Sequence, residues 1–380
     1  MGITTRLRAN VRAARELWQR LRQRHASTPT AARRLLAAVA LRAYRRLAYA
    51  VNDGFLMRRA SAPRFAAFQA GIAERLGGHF YVIVMPDTLH FLLPCLRLVA
   101  GRLPIVLLLN GARAWEAALL RQHFPDLPQF RVATLPRSSV NHGAMIDMML
   151  RHNAHDFGIL DHDLYLFDQR VLQELRFSDA EFLLCLLADS GPRWTYPLTH
   201  FLYFRAAAWQ RLMRQYGVGA GIYRKVPAAA RGQLRGAGLR DGETLKPYHD
   251  FYDTLHVLLA LGYSEGMELV QFEFADGGVI HLGGTSIGSH HTKGMMDLYI
   301  HLLFLELAQV PELERRYAHL AAPFNNAGAL RARLPQTPEV RRQLDLLDRL
   351  AGQLNGQALA SRTGCSSASN CSTGSGGPNR

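Results

Sequence analysis

Residues 79–111, HFYVIVMPDTLHFLLPCLRLVAGRLPIVLLLNG, decide the fold class. An unbroken apolar run, His79–Met85, stops at Pro86 and Asp87. Residues 89–100 then read as a helix, and Leu103–Leu109 is a second apolar run that stops at Asn110 and Gly111. Strands that are apolar at every position are buried on both faces, the condition of a parallel strand in a βαβ unit. The same alternation continues through a helix at 114–123, a strand at 130–135, a helix at 143–153 and a strand at 157–160. The expected fold is α/β, a mostly parallel sheet with helices on both faces. Ligands of such sheets bind at the carboxyl ends of the strands. Asp87, Asn110 and the pair Asp161 and Asp163 all fall at such ends.

Past residue 170 the alternation loosens. Strands are expected at 181–187 and 200–204, a helix at 206–216, and a mobile Gly/Ala/Arg-rich loop at 219–247. A helix at 252–262, strands at 267–274 and 278–282, and helices at 295–307 and 337–353 complete the pattern. The Ser/Gly/Asn-rich end cannot bury a core and is expected to be disordered. The resulting division is a basic amphipathic extension over 1–75, the α/β domain over 76–330, a C-terminal helix over 331–355 and a tail over 356–380.

The 380-residue chain carries 45 Lys and Arg against 30 Asp and Glu, and the excess is concentrated at the start. Residues 1–60 hold fourteen Arg against Glu16 and Asp53. Residues 4–24 place Leu7, Val11, Trp18 and Leu21 at helical spacing, and 31–51 repeat the style with Leu35, Leu36, Val39, Tyr44 and Leu47. Such a basic helical hairpin either lies on an anionic membrane surface, with Arg on the headgroups, or packs on the core with a solvated Arg face. A transit peptide is a third reading, disfavoured by two helix breaks. A nucleic-acid enzyme would spread its positive charge over the working surface, so no nucleic-acid partner is expected.

Four cysteines without a paired framework fit a reducing compartment. No apolar run reaches the roughly 18–20 residues of a membrane span, and no apolar core of a secretory signal occurs in residues 1–30. The expected location is cytoplasmic, peripheral on the inner face of the cytoplasmic membrane if the hairpin binds lipid.

The strongest chemical signal is Asp161-His162-Asp163 at the end of the fourth strand. Two carboxylates on alternate residues there converge on one hard cation, Mn²⁺ or Mg²⁺, which can also hold a diphosphate. The competing reading is a turn with capping aspartates. In this setting the motif resembles the DxD element of the GT-A glycosyltransferases, particularly the bacterial inverting family that acts on nucleotide-sugars. A second matching piece, Asn141-His142-Gly143-Ala144-Met145-Ile146-Asp147, resembles that family's helix start beside the nucleotide, which brings in His142 and Asp147. A third, GVIHLGGTSIGSHHTK over 278–293, offers His281 as a further metal ligand and Lys293 against phosphate charge. A fourth, Tyr248-His249-Asp250-Phe251-Tyr252-Asp253-Thr254, is similar in position to the segment carrying the family's catalytic base. It makes Asp250 and Asp253 the base candidates, with Asp189 in reserve and helix capping as the alternative for Asp253.

The resemblance implies a GT-A-like fold over roughly 79–295 and metal-dependent transfer from a UDP-, GDP- or dTDP-sugar. The acceptor would be a glycan or lipid-linked hydroxyl, as in cell-envelope polysaccharide synthesis. The nucleotide-binding residues would be Asp87, Asn110, His142, Asp147, Asp161 and Lys293. Nucleotidyl or phosphoryl transfer, which also uses paired Asp and Mg²⁺, and an inactive scaffold remain the alternatives. Gly284-Thr285-Ser286-Ile287-Gly288 is formally a nucleophile elbow, but it comes too late in the chain for a hydrolase. A Walker A pattern, H-E-x-x-H and G-x-G-x-x-G after the first strand are all absent.

Overall fold

The computed structural model describes residues 44, 47–73, 78–168, 170, 175–186, 188–190, 194–238, 251–283, 285, 294–321 and 326–367. The expected α/β class is what it contains. The elements up to the DxD run as read: β1 (Phe80–Val84), α2 (Leu89–Val99), β2 (Ile105–Leu109), α3 (Ala114–His123), β3 (Gln129–Arg131), α4 (His142–His152) and β4 (Phe157–Leu160). Before them stands α1 (Ala62–Ala73). After them come β5 (Leu164–Leu166), β6 (Glu181–Cys185), β7 (Ala188–Ser190), β8 (Thr195–Pro197), β9 (Phe201–Phe204), α5 (Ala206–Tyr216), α6 (Ala228–Gly236) and α7 (His256–Ser264). The chain continues with β10 (Glu268–Gln271), β11 (Val279–His281), α8 (Met295–Ala308), α9 (Pro311–Ala321), α10 (Ala327–Arg331) and α11 (Pro338–Ser367).

Seven strands form one sheet in the order β10-β6-β9-β4-β1-β2-β3. The pairs β1–β2, β1–β4, β2–β3 and β6–β10 are parallel, and β9 runs antiparallel between β4 and β6. β5 and β11 make a separate antiparallel pair, and β7 and β8 another. The unbroken apolar strands have the reason expected. Phe80, Val82, Val84, Ile105, Leu107 and Leu109 face one core, covered by α2, α3 and α8 to α11. Tyr81, Ile83, Val106 and Leu108 face the other, covered by α1 and α4 to α7. Gly158 in β4 lets the Phe80 ring lie on the strand, since a Cβ there would sit 2.0 Å from the ring.

Three expectations need correction. The basic extension does not end at residue 75 as an appendage: Val51–Ser61 is π-helical, runs straight into α1, and belongs to the domain. Phe65 is fully buried edge-on against Phe130 at 5.1 Å, and Met57 and Ile72 join the same core. Asn52, also fully buried, donates to Ser138 Oγ and Ser139 O at 2.9 Å and accepts from Leu135 N. Asp53 accepts from Asn141 N at 2.8 Å, and burial raises its carboxyl above the ordinary value. Single apolar residues spaced for this packing look the same in sequence as a surface helix. Over residues 1–43 the expected helical hairpin lies outside the described residues.

The loop expected over 219–247 contains α6, whose Ala228, Ala229 and Ala230 favour helix and whose Leu234 is buried. The tail expected from 356 begins in helix, because Gln357, Ala358, Leu359 and Ala360 extend α11 as far as Ser367 before the Ser/Gly run takes over. No helix among the described residues is long and apolar enough to cross a membrane.

Candidate active site

The site is assembled by one strand pairing. β4 delivers Asp161 and Asp163 beyond its carboxyl end, and the chain turns at once into β5. β11 pairs antiparallel with β5 and sets His281 opposite Leu164, and Leu282 N donates to Asp163 O at 3.3 Å. The imidazole Nε2 of His281 therefore lies 3.4 Å from Asp163 Oδ1 and 3.8 Å from Asp161 Oδ2. One ligand atom from each of the three residues lies within 4.8 Å of the other two.

Neighbours hold these groups in place. Thr285 donates to Asp163 Oδ2 at 2.7 Å, so its oxygen accepts from His162 Nε2, 2.9 Å away. Burial keeps the His162 ring neutral by lowering its pKa. His200 stacks on His281 with centroids 4.3 Å apart, and its carbonyl accepts from Asp161 N at 2.8 Å. Burial first, and the charge of His281 second, bring His200 down to about 4. Burial and the Asp163 charge push Asp161 up to about 7. Burial also works against Asp163, but the hydrogen bond and charge of His281, with His162 and Thr285, hold it below the ordinary carboxylate range. Those carboxylates outweigh burial at His281 and raise it. Two carboxylates and an imidazole are the oxygen and nitrogen donors that Mn²⁺ or Mg²⁺ accepts, so the residues fit such an ion.

A cavity of about 580 Å³ opens at the carboxyl ends of β1, β2 and β3, walled by Tyr49, Asp87, Gly111, Arg113, Arg137 and Ser138, among others. Gly111, at φ +79°, is required there: a Cβ would meet Ser138 O at 2.3 Å. Asp87 adopts φ +63° and pairs with Arg113 at 2.6 Å. Asn110 is not on this wall. Its amide accepts from Val140 N at 2.7 Å and donates to Val140 O at 3.0 Å, clamping the loop that precedes α4.

A second cavity of about 320 Å³ lies at the start of α4, walled by Asn141, His142, Thr199, Asp253, Thr254 and His256, among others. Asn141 caps the helix through Gly143 N at 2.9 Å. The Nε2 of His142 is buried without a hydrogen-bond partner among the described residues. Burial lowers this ring to about 4, with Asp253 opposing the shift. Thr199 on this wall is followed directly by His200, whose ring stacks on His281.

Of the residues expected from sequence, Asp161, Asp163 and His281 come together, Asp87 lines the larger cavity, and His142 and Asp253 share the smaller one. Asp253 also accepts from Thr254 N at 2.8 Å, but the N-cap position of α7 is Leu255 and carries no side-chain cap, so Asp253 does not take the capping role. Asp147 is on neither wall. It pairs with Arg151 at 2.7 Å and accepts from Ala220 N, fastening α4 to the segment after α5. Asp250 and Lys293 lie outside the described residues, and Asp189 sits in β7 opposite Tyr196. Sequence reasoning missed Thr285, His200 and Arg113. Thr285 was visible only as part of the discarded nucleophile-elbow motif.

Residues 56–209, from the π-helical segment through β9 into α5, match the family model described as the StrH glycosyltransferase N-terminal domain. This match, over less than half of the chain, supports a glycosyltransferase-related family. It includes Asp161 and Asp163 and stops short of His281. No curated protein matches the chain.

Proposed function

We propose that this protein transfers a sugar from a nucleotide-diphosphate donor to a hydroxyl of a glycan or lipid-linked acceptor, with inversion, using Mn²⁺ or Mg²⁺ held by Asp161, Asp163 and His281. The observation that carries the reading is the cluster of those three side chains beyond the carboxyl end of β4, the end at which ligands of such sheets bind. The glycosyltransferase match over 56–209 supports the reaction class.

In this reading the cavity of Asp87 and Arg113 takes the nucleotide of a UDP-, GDP- or dTDP-sugar, and the cavity of His142 and Asp253 takes the acceptor. A bound divalent cation supplies positive charge against the departing diphosphate. Thr285 and His200 fix the orientation of Asp163 and His281, so the ligands are arranged before substrate arrives. The carboxylate of Asp253 accepts the proton of the attacking hydroxyl, with Asp250 as the other acid in the segment. Lys293 belongs to the same reading as a counter-charge for phosphate. Attachment to an anionic membrane surface through residues 1–60 is supported by their charge and by the exposure of Leu47 and Phe55, both above 60%.

Titration of UDP-, GDP- and dTDP-sugars with and without Mn²⁺ tests the proposal. One donor should bind in a metal-dependent way and be consumed once an acceptor is supplied. Binding of no donor under any of these conditions would overturn it.

A further inference from the structure

We infer that Tyr317, in the C-terminal helical layer, and Glu116 are positioning residues for the larger cavity: they set the turn that presents Asp87 and Arg113. The inference rests on the reading of that cavity as the donor site. Glu116 is fully buried, and both its oxygens are engaged. Oε1 accepts from Asp87 N at 2.8 Å and Oε2 from Arg113 N at 2.6 Å, so one carboxylate gathers the backbone of the two residues whose side chains then pair with each other. The second of these bonds is the return half of a capping box at the start of α3. The first acts on a residue in the left-handed region, where a non-glycine backbone stays only if its surroundings hold it.

Glu116 has in turn one side-chain donor from the far end of the chain. The phenol of Tyr317 in α9 donates to Oε1. Burial first, and the Glu116 charge second, push this phenol far above its ordinary pKa, so it remains a donor at any working pH. The ring is fixed as well: it packs edge-on against Trp115 at 5.3 Å and against His90 at 5.3 Å. A buried carboxylate depends on every donor it has. The order of dependence therefore runs from α9 to Glu116, and from Glu116 to the Asp87 and Arg113 amides on the cavity wall. Tyr317 lies outside the glycosyltransferase match at 56–209, so the match alone does not contain every part that shapes the cavity.

The test is Tyr317→Phe, which keeps the ring and its packing and removes one donor. In the full-length protein, nucleotide diphosphate with Mn²⁺ should bind roughly tenfold more weakly, with kcat at saturating donor unchanged. In a Glu116→Gln background the same substitution should have little further effect on affinity, because both branches of the path run through that carboxylate. Amide hydrogen exchange read without any nucleotide should accelerate at Asp87 and Arg113. Unchanged exchange at these two amides overturns the inference, and so does a fall in affinity that adds fully to that of Glu116→Gln. Failure of the wild-type protein to bind any nucleotide diphosphate would count against the donor-site reading instead, and the exchange experiment would still decide the role of Tyr317.

Discussion

Asp163 and His281 meet side chain to side chain, Oδ1 to Nε2 at 3.4 Å, because β5 and β11 pair antiparallel and bring Leu164 opposite His281. The carboxylate is nearly buried and its other oxygen is taken by Thr285. Asp163→Asn keeps the shape and removes the charge. It should weaken Mn²⁺ binding by more than the roughly 10–100-fold that outer partners contribute, while circular dichroism and melting stay close to wild type. Metal affinity within a factor of a few of wild type would remove Asp163 from the ligand set.

Thr285→Val tests an outer partner. It deletes the hydroxyl that joins His162 to Asp163 and leaves a side chain of nearly the same size. Mn²⁺ affinity should drop by about 10–100-fold, read by isothermal titration. No change would mean that Asp163 needs no help to hold its rotamer.

His142 makes stability depend on pH. Its folded pKa is about 4 against an ordinary 6.5, so between those values the unfolded chain binds the extra proton. The contribution of the neutral ring is fully present above pH 6.5 and is lost as the pH falls toward 4, amounting to about 1–3 kcal/mol. Denaturant unfolding of wild type and His142→Gln at pH 7 and pH 4.5 should show a shallower loss in the variant. Parallel losses would assign the acid sensitivity elsewhere.

Gly158→Ala should be costly for so small a change. The added methyl would lie 2.0 Å from the Phe80 ring, inside a core packed on both sides. Overpacking of this kind costs about 1–3 kcal/mol, visible as a lower midpoint in urea. A neutral result would show that the Phe80 ring has room to move.

Truncation separates the basic extension from the domain. A chain starting at residue 47 should melt like the full protein and, with twelve of the fourteen arginines of residues 1–60 removed, bind anionic vesicles far more weakly, an attraction that salt screens within about 8 Å at physiological strength. A chain starting at residue 75 also loses Phe65, Ile72 and the Asn52 clamp, and should be unstable by at least the roughly 3–5 kcal/mol of a large aromatic truncation. Vesicle binding that survives the first truncation would place the lipid contact in the domain itself.

The first half of the fold was legible because its signals are local. Each of β1, β2 and β4 is a continuous apolar run closed by a turn residue, and burial on both faces is the only way to satisfy such a run. The antiparallel entry of β9 between β4 and β6 was not legible, since Phe201–Phe204 is apolar whichever direction it runs. Asp161 and Asp163 could be found from their spacing in the chain. Thr285 and Tyr317 could not, because nothing near either in sequence shows that Asp163 or Glu116 lies against it. The core role of Phe65 stayed hidden for the same reason.

The pairing of β5 with β11 also has a consequence in time. The chain leaves the ribosome from its amino end, so Asp161 and Asp163 emerge long before the strand that carries His281. Until β11 docks, the two acids have no imidazole across from them and β5 has an open edge. A nascent chain halted before residue 279 would possess most of the parallel sheet and not the completed Asp161–Asp163–His281 cluster. Synthesis thus delivers the scaffold first and the cluster last, and premature termination anywhere before β11 yields a protein able to begin folding but unable to bring the three side chains together.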